Sequence, residues 1–119
     1  MGLQRLGWLG VRTENFDAMK ALLEDAFDLV PFQVDGASAR YRLGDGTEFH
    51  VYGPADADHD FFGSSPVVGF VVDDAALLRR RMEEAGVEFL TPLETAGTSS
   101  WCHFRGPDGN VYEIISSDA

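Results

Sequence analysis

Apolar and polar positions alternate with period two over several short stretches and recur at three- and four-residue spacing over two longer ones. The chain therefore reads as short strands interrupted by two helices. Residues 6–12 (LGWLGVR) predict a strand. Over residues 14–29, Phe16, Met19, Leu22, Leu23, Ala26 and Phe27 form a helical stripe. Thr13 is the expected N-cap, Glu14 and Asp17 complement the dipole in the first turn, and Pro31 lies beyond the end. Strands are expected over 32–34, 39–43 and 47–52, the last two flanking the tight turn Gly44-Asp45-Gly46. After a polar, Gly/Pro/Asp-rich stretch the order restarts. Residues 67–72 predict a strand, and Asp73 or Asp74 caps a helix with the stripe Leu77, Leu78, Arg81, Met82 and Ala85 that stops at Gly86. Strands over 87–90, 100–105 and 110–116 complete the second half, the last two around Gly106-Pro107-Asp108-Gly109.

The halves repeat. Leu9-Gly10 recurs as Val68-Gly69 and Glu24-Asp25-Ala26 as Glu83-Glu84-Ala85 at one shared spacing. Tyr41-Arg42 recurs as Phe104-Arg105, and Asp45-Gly46 as Asp108-Gly109, at a slightly longer one. The expected fold is α+β: two βαβββ modules forming a curved eight-stranded mixed sheet around a cleft, with a helix behind each four strands. Residues 1–119 are expected to be a single domain, with module one over 5–53, a linker over 54–65 and module two over 66–117.

Alternation then sorts the side chains. With the helices on one sheet face, the other carries Trp8, Arg12, His50, Tyr52, Val67, Val71, Glu113 and Ile115, a mixture of apolar walls and few polar groups that suits a small molecule. If Phe104 pairs with Val111, Cys102 and Phe104 join that face, and Tyr41 joins it through the repeat; a slip of one residue would substitute His103 and Trp101. His50 and Glu113 are repeat equivalents, expected to look into one shared hollow as hydrogen-bonding anchors or as a proton-transfer pair. Their first-strand counterparts, Trp8 and Val67, cannot bind a metal, and His59, Asp58, Asp60 and His103 are the reserves for one. Cys102 reads as a core cysteine, since nothing basic is fixed beside it in sequence.

Composition narrows the class. With 119 residues, 45% hydrophobic and 24% charged, the chain can bury one core, and its single cysteine excludes a disulfide framework. A net charge of −11, with basic residues adjacent only at Arg79-Arg80-Arg81, argues against nucleic acid. No apolar run approaches the ~20 residues of a membrane span, and Met1–Arg5 does not resemble a signal peptide, so a cytoplasmic protein is expected.

The segment Phe104-Arg105-Gly106-Pro107-Asp108-Gly109-Asn110-Val111-Tyr112-Glu113-Ile114-Ile115 resembles the C-terminal signature of the vicinal oxygen chelate superfamily, which includes glyoxalase I, bleomycin-resistance proteins and extradiol dioxygenases. Val68-Gly69-Phe70-Val71-Val72-Asp73-Asp74 resembles the start of that family's second module, and residues 9–29 resemble its first. In metal-dependent members, the resemblance puts ligands at the places held here by Trp8, His50, Val67 and Glu113, of which only His50 and Glu113 keep ligand chemistry. It implies a homodimer that binds an aromatic or cationic small molecule without a complete metal site. The other reading it offers is a lyase, isomerase or dioxygenase using His50 and Glu113, with a divalent metal or as an acid–base pair.

Overall fold

The computed structural model describes residues 2–117. The chain forms two compact units, one of residues 8–66 and the other of the residues up to 7 together with those from 67 onward. Strand β1 (Leu3–Arg12) contributes its second half to the first unit and its first half to the other.

In the unit of residues 8–66 the strands run β2 (Gln33–Val34), β3 (Ser38–Arg42), β4 (Glu48–Tyr52), then β1. β1 lies parallel to β4 with Trp8 opposite Glu48 and Arg12 opposite Tyr52, whereas β3 is antiparallel to both β4 and β2. Phe16, Met19 and Leu23 pack on Val11, Ala39, Tyr41, Phe49 and Val51, the face that alternation assigns to the helix for β1 and β4. The expected single helix over 14–29 is instead α1 (Phe16–Ala21) followed by one wide π-helical turn at Leu22–Ala26. Leu29 N–H reaches the Leu23 carbonyl at 3.0 Å, and Asp28 adopts a φ of 57°. Thr13 does not cap this helix: Asn15 holds the N-cap position, and Thr13 Oγ1 accepts from the Asn15 N–H instead.

In the other unit the order is β1, β5 (Val67–Val72), β9 (Val111–Ser117), β8 (Ser99–Arg105), β6 (Glu88–Phe89). A further short strand, β7 (Glu94–Ala96), pairs with β8 and brings the count among the described residues to nine, where eight are expected from the pattern. Helix α2 (Ala75–Glu84) starts as its sequence requires, with Asp74 accepting from the Leu77 N–H at 3.0 Å. Asp73 fastens the start of β1, accepting from Gly2 N–H and Gln4 Nε2. The core beneath α2 contains Val72, Ala75, Cys102, Phe104 and Ile114. Both main hairpins close on glycine at positive φ, Gly46 at 88° and Gly109 at 85°. Among the described residues, no helix is long and apolar enough to cross a membrane.

Candidate functional site

The face of the first unit turned away from its helix is set by register. β1 presents Trp8, Gly10 and Arg12; β4 presents Glu48, His50 and Tyr52; β3 presents Ser38, Arg40 and Arg42. His50 stands opposite Gly10 on one side and Arg40 on the other. The Trp8 indole folds along its strand over Gly10, so that a Cβ at Gly10 would come within 2.2 Å of the ring. Glycine is therefore what lets the indole lie flat there, edge-on to the His50 ring at a 5.4 Å centroid distance.

A hydrogen-bonded chain crosses this face. Arg42 Nη2 donates to Glu48 Oε2 at 3.0 Å. The Glu48 carboxyl is opposed by burial, yet the hydrogen bonds from His50 and Arg42 hold it below the usual carboxylate range. As an ionised acceptor it must receive the proton of His50 Nε2, 2.9 Å away. Burial, reinforced by the charge of Arg40, lowers the His50 pKa to about 4, although Glu48 pulls it the other way. The ring is thus neutral near pH 7, Nδ1 is its acceptor, and the Tyr52 hydroxyl donates to it at 2.9 Å.

The segment 53–66 lies over part of the same face. His59 stacks on Tyr52 at 3.7 Å and 17°, and Phe62 packs edge-on against both Trp8 and Tyr52. Asp56 holds the segment down: its carbonyl accepts from Arg12 Nη2 at 3.1 Å, and its carboxylate accepts from the His59 backbone N–H. From the other side Phe32 meets His50 edge-on and carries the Arg42 guanidinium 4.4 Å above its ring.

Trp8, Arg12, His50 and Tyr52 therefore come together as the alternation predicts. Tyr41 does not join them. It is fully buried under the helix, where its hydroxyl donates to Glu24 at 2.8 Å; burial and that carboxylate push its pKa up. Cys102 and Phe104 are also corrected. Phe104 pairs with Tyr112 and Cys102 with Ile114, one residue away from the expected hairpin register, so both side chains enter the core beneath α2. There burial raises the Cys102 thiol pKa. The substitute named for such a slip, His103, stands opposite Glu113, with Nε2 and Oε2 3.1 Å apart and both side chains buried. Arg40, Glu48, Phe32 and Phe62 were absent from the expected site. The pairing of β3 with β4 carries the signal for Arg40, since Glu48, His50 and Tyr52 alternate in step with Arg42, Arg40 and Ser38.

The donor set does not fit a divalent ion at the places the resemblance indicates. Trp8 and Val67 offer no lone pair, and His50 has both ring nitrogens engaged with Glu48 and Tyr52. Among the described residues, no three His, Cys, Asp or Glu side chains gather as a metal site.

Residues 5–114 match the family model described as the Glyoxalase/Bleomycin resistance protein/Dioxygenase superfamily. No curated protein matches the chain. Among solved structures, a Streptomyces coelicolor methylmalonyl-CoA epimerase in complex with 2-nitronate-propionyl-CoA is similar at 17% identity and TM-score 0.71, over 99% of this chain and 100% of that one. The Mn(II)-bound glyoxalase from Novosphingobium aromaticivorans is similar at 19% identity and TM-score 0.74, over 96% of this chain and 39% of that one. A hypothetical protein from Bacillus halodurans C-125 shares 13% identity at TM-score 0.73, over 97% and 95%. At these identities the likeness is one of fold.

Proposed function

We propose that this chain, which belongs to the glyoxalase/bleomycin resistance protein/dioxygenase superfamily, is a small-molecule-binding member that holds an aromatic ligand against the helix-free face of its residues 8–66. The observation that carries this reading is the gathering of Trp8, Phe32 and Tyr52 around the hydrogen-bonded His50, with Phe62 packed against Trp8 and Tyr52. Flat rings give affinity at little conformational cost, and a fixed polar group orients what lies between them. The aromatic rings of segment 53–66 pack on the same face, so the ligand enters by parting His59 and Phe62 from Tyr52 and Trp8. His50, with its pKa lowered to about 4, is a weak base near neutrality, which favours binding over proton abstraction. A homodimer belongs to the same reading. Phe27, Val30, Phe32 and Val34 are exposed beside or on the outermost strand β2, a surface that a second copy would cover. Sedimentation showing only single chains at micromolar concentration would remove that part alone.

The test is a thermal-shift screen of aromatic compounds. A compound that raises the melting temperature of the wild type but not of Trp8→Ala supports the site. Equal stabilisation of both proteins removes Trp8 from it.

A further inference from the structure

We propose that the ligand carries an oxyanion, a carboxylate or a phosphate, and that Arg40 receives it. This rests on the ligand-binding reading above and adds a negative charge, where the resemblance implied an aromatic or cationic molecule. Three guanidiniums stand on this face. Arg42 is paired with Glu48 at 3.0 Å and Arg12 with Asp56 at 3.9 Å. Arg40 has no ion pair among the described residues. The one hydrogen bond of its guanidinium runs from Nη1 to the neutral Oε1 of Gln33 at 3.3 Å; its Nε, like that of Arg12, is buried without a hydrogen-bond acceptor, but Arg12 has Asp56 beside it and Arg40 has no carboxylate. Asp35 feels the charge of Arg40 only at longer range.

A buried guanidinium donor without an acceptor is costly, and such a group is understood when the acceptor is one that arrives. The planar fork of arginine matches carboxylate and phosphate oxygens. Arg40 stands opposite His50, so an anion seated on it would have its ring beside the His50–Phe32 edge contact. Both His50 nitrogens and the Glu48 carboxylate are already engaged with one another, Tyr52 and Arg42, which leaves Arg40 as the donor there. The net charge of −11 repels an anion at long range, but salt screens that beyond about 10 Å and leaves the local guanidiniums to decide.

Four probes with one ring system separate charge from shape: 1-naphthoate, 1-naphthyl phosphate, 1-naphthalenemethanol and 1-naphthylmethylammonium. Each is titrated into the full chain while the indole N–H resonance of Trp8 is followed by NMR, assigned with Trp101→Phe. At least one anion is expected to bind tenfold or more tightly than the alcohol, and whichever anion does so identifies the group as carboxylate or phosphate. Arg40→Gln should erase that advantage and leave the alcohol unchanged. Arg40→Lys, which keeps the charge without the fork, should retain part of it and serves if the glutamine variant does not fold. If the alcohol or the ammonium binds at Trp8 as tightly as both anions, the anion proposal fails and the ligand site stands. An anion advantage that survives Arg40→Gln overturns the assignment to Arg40. No response of Trp8 to any of the four overturns the ligand site itself.

Discussion

The two units use one sequence pattern for different ends, and the contrast is sharpest at the repeat-equivalent positions 50 and 113. In the unit of residues 8–66, His50 is a neutral ring suspended between Tyr52 and Glu48, with aromatic side chains and guanidiniums around it. In the other, Glu113 is paired with His103, both side chains buried. The first arrangement spreads polarity across a face that a ligand can share. The second spends its polar groups on each other. The helices differ in the same sense. α2 has a side-chain N-cap and an uninterrupted run, whereas α1 has no side-chain cap and widens into a π-helical turn. The order of the unit without the proposed site is the more fully specified by its own sequence.

The largest expected effect sets the two histidines against each other. His103→Leu removes the buried ring that faces the buried Glu113 side chain at 3.1 Å and should cost about 3 kcal/mol or more. His50→Leu leaves Glu48 still paired with Arg42 and partly exposed, and should cost only about 1–2 kcal/mol. Urea unfolding of both variants measures the difference, and equal losses would abolish the contrast.

Acid is the next lever. The folded His50 has a pKa of about 4 against the ordinary 6.5, so below pH 6.5 the unfolded chain takes up a proton that the folded one refuses. Stability is therefore complete above pH 6.5 and falls as pH drops towards 4, by up to about 3 kcal/mol from this group. Glu48, whose carboxyl is held low by its partners when folded, loses stability in the same direction at lower pH. Melting curves from pH 7 to pH 4 should show a slope that His50→Gln flattens. A slope unchanged in that variant would assign the acid sensitivity elsewhere.

Close backbone approaches give a smaller test. Gly10→Ala would place a methyl 2.2 Å from the buried Trp8 indole and should cost about 1–3 kcal/mol, with a change in Trp8 fluorescence. Gly106→Ala meets the Tyr112 ring at 2.7 Å, but that ring is only partly buried and can yield, so the cost should be lower. Smallest of all, Tyr41→Phe removes one hydrogen bond to Glu24 and should cost about 1 kcal/mol, without altering ligand binding, because Tyr41 lies on the helix face.

Much of this was legible in the chain. The faces of β1, β4, β5 and β9 follow directly from their alternation, because one side must be apolar enough to meet a helix. Trp8, Arg12, His50 and Tyr52 were found that way. The hairpin β8–β9 was not, because its register depends on the loop rather than on the strands. Gly106 N–H closes on the Asn110 carbonyl, Arg105 then pairs with Val111, and Phe104 is carried under α2 beside Tyr112 and Phe89. Tyr41 escaped for a different reason: an aromatic side chain with a hydroxyl suits a binding face or a core equally well, and only the distant Glu24 decides. The linker over 54–65 reads as a polar spacer by composition, yet its Phe61, Phe62 and His59 pack on one another and, through His59 and Phe62, on the sheet.

The central claim is that the helix-free face of residues 8–66 is where this protein binds. The most direct measurement is a two-dimensional amide NMR map of the 15N-labelled chain during titration with 1-naphthoate. The account predicts shifts concentrated on residues 8–12, 38–42 and 48–52 and on the Trp8 indole, with Trp101 and residues 99–117 little moved. Shifts centred instead on 99–117, with Trp8 silent, would contradict it.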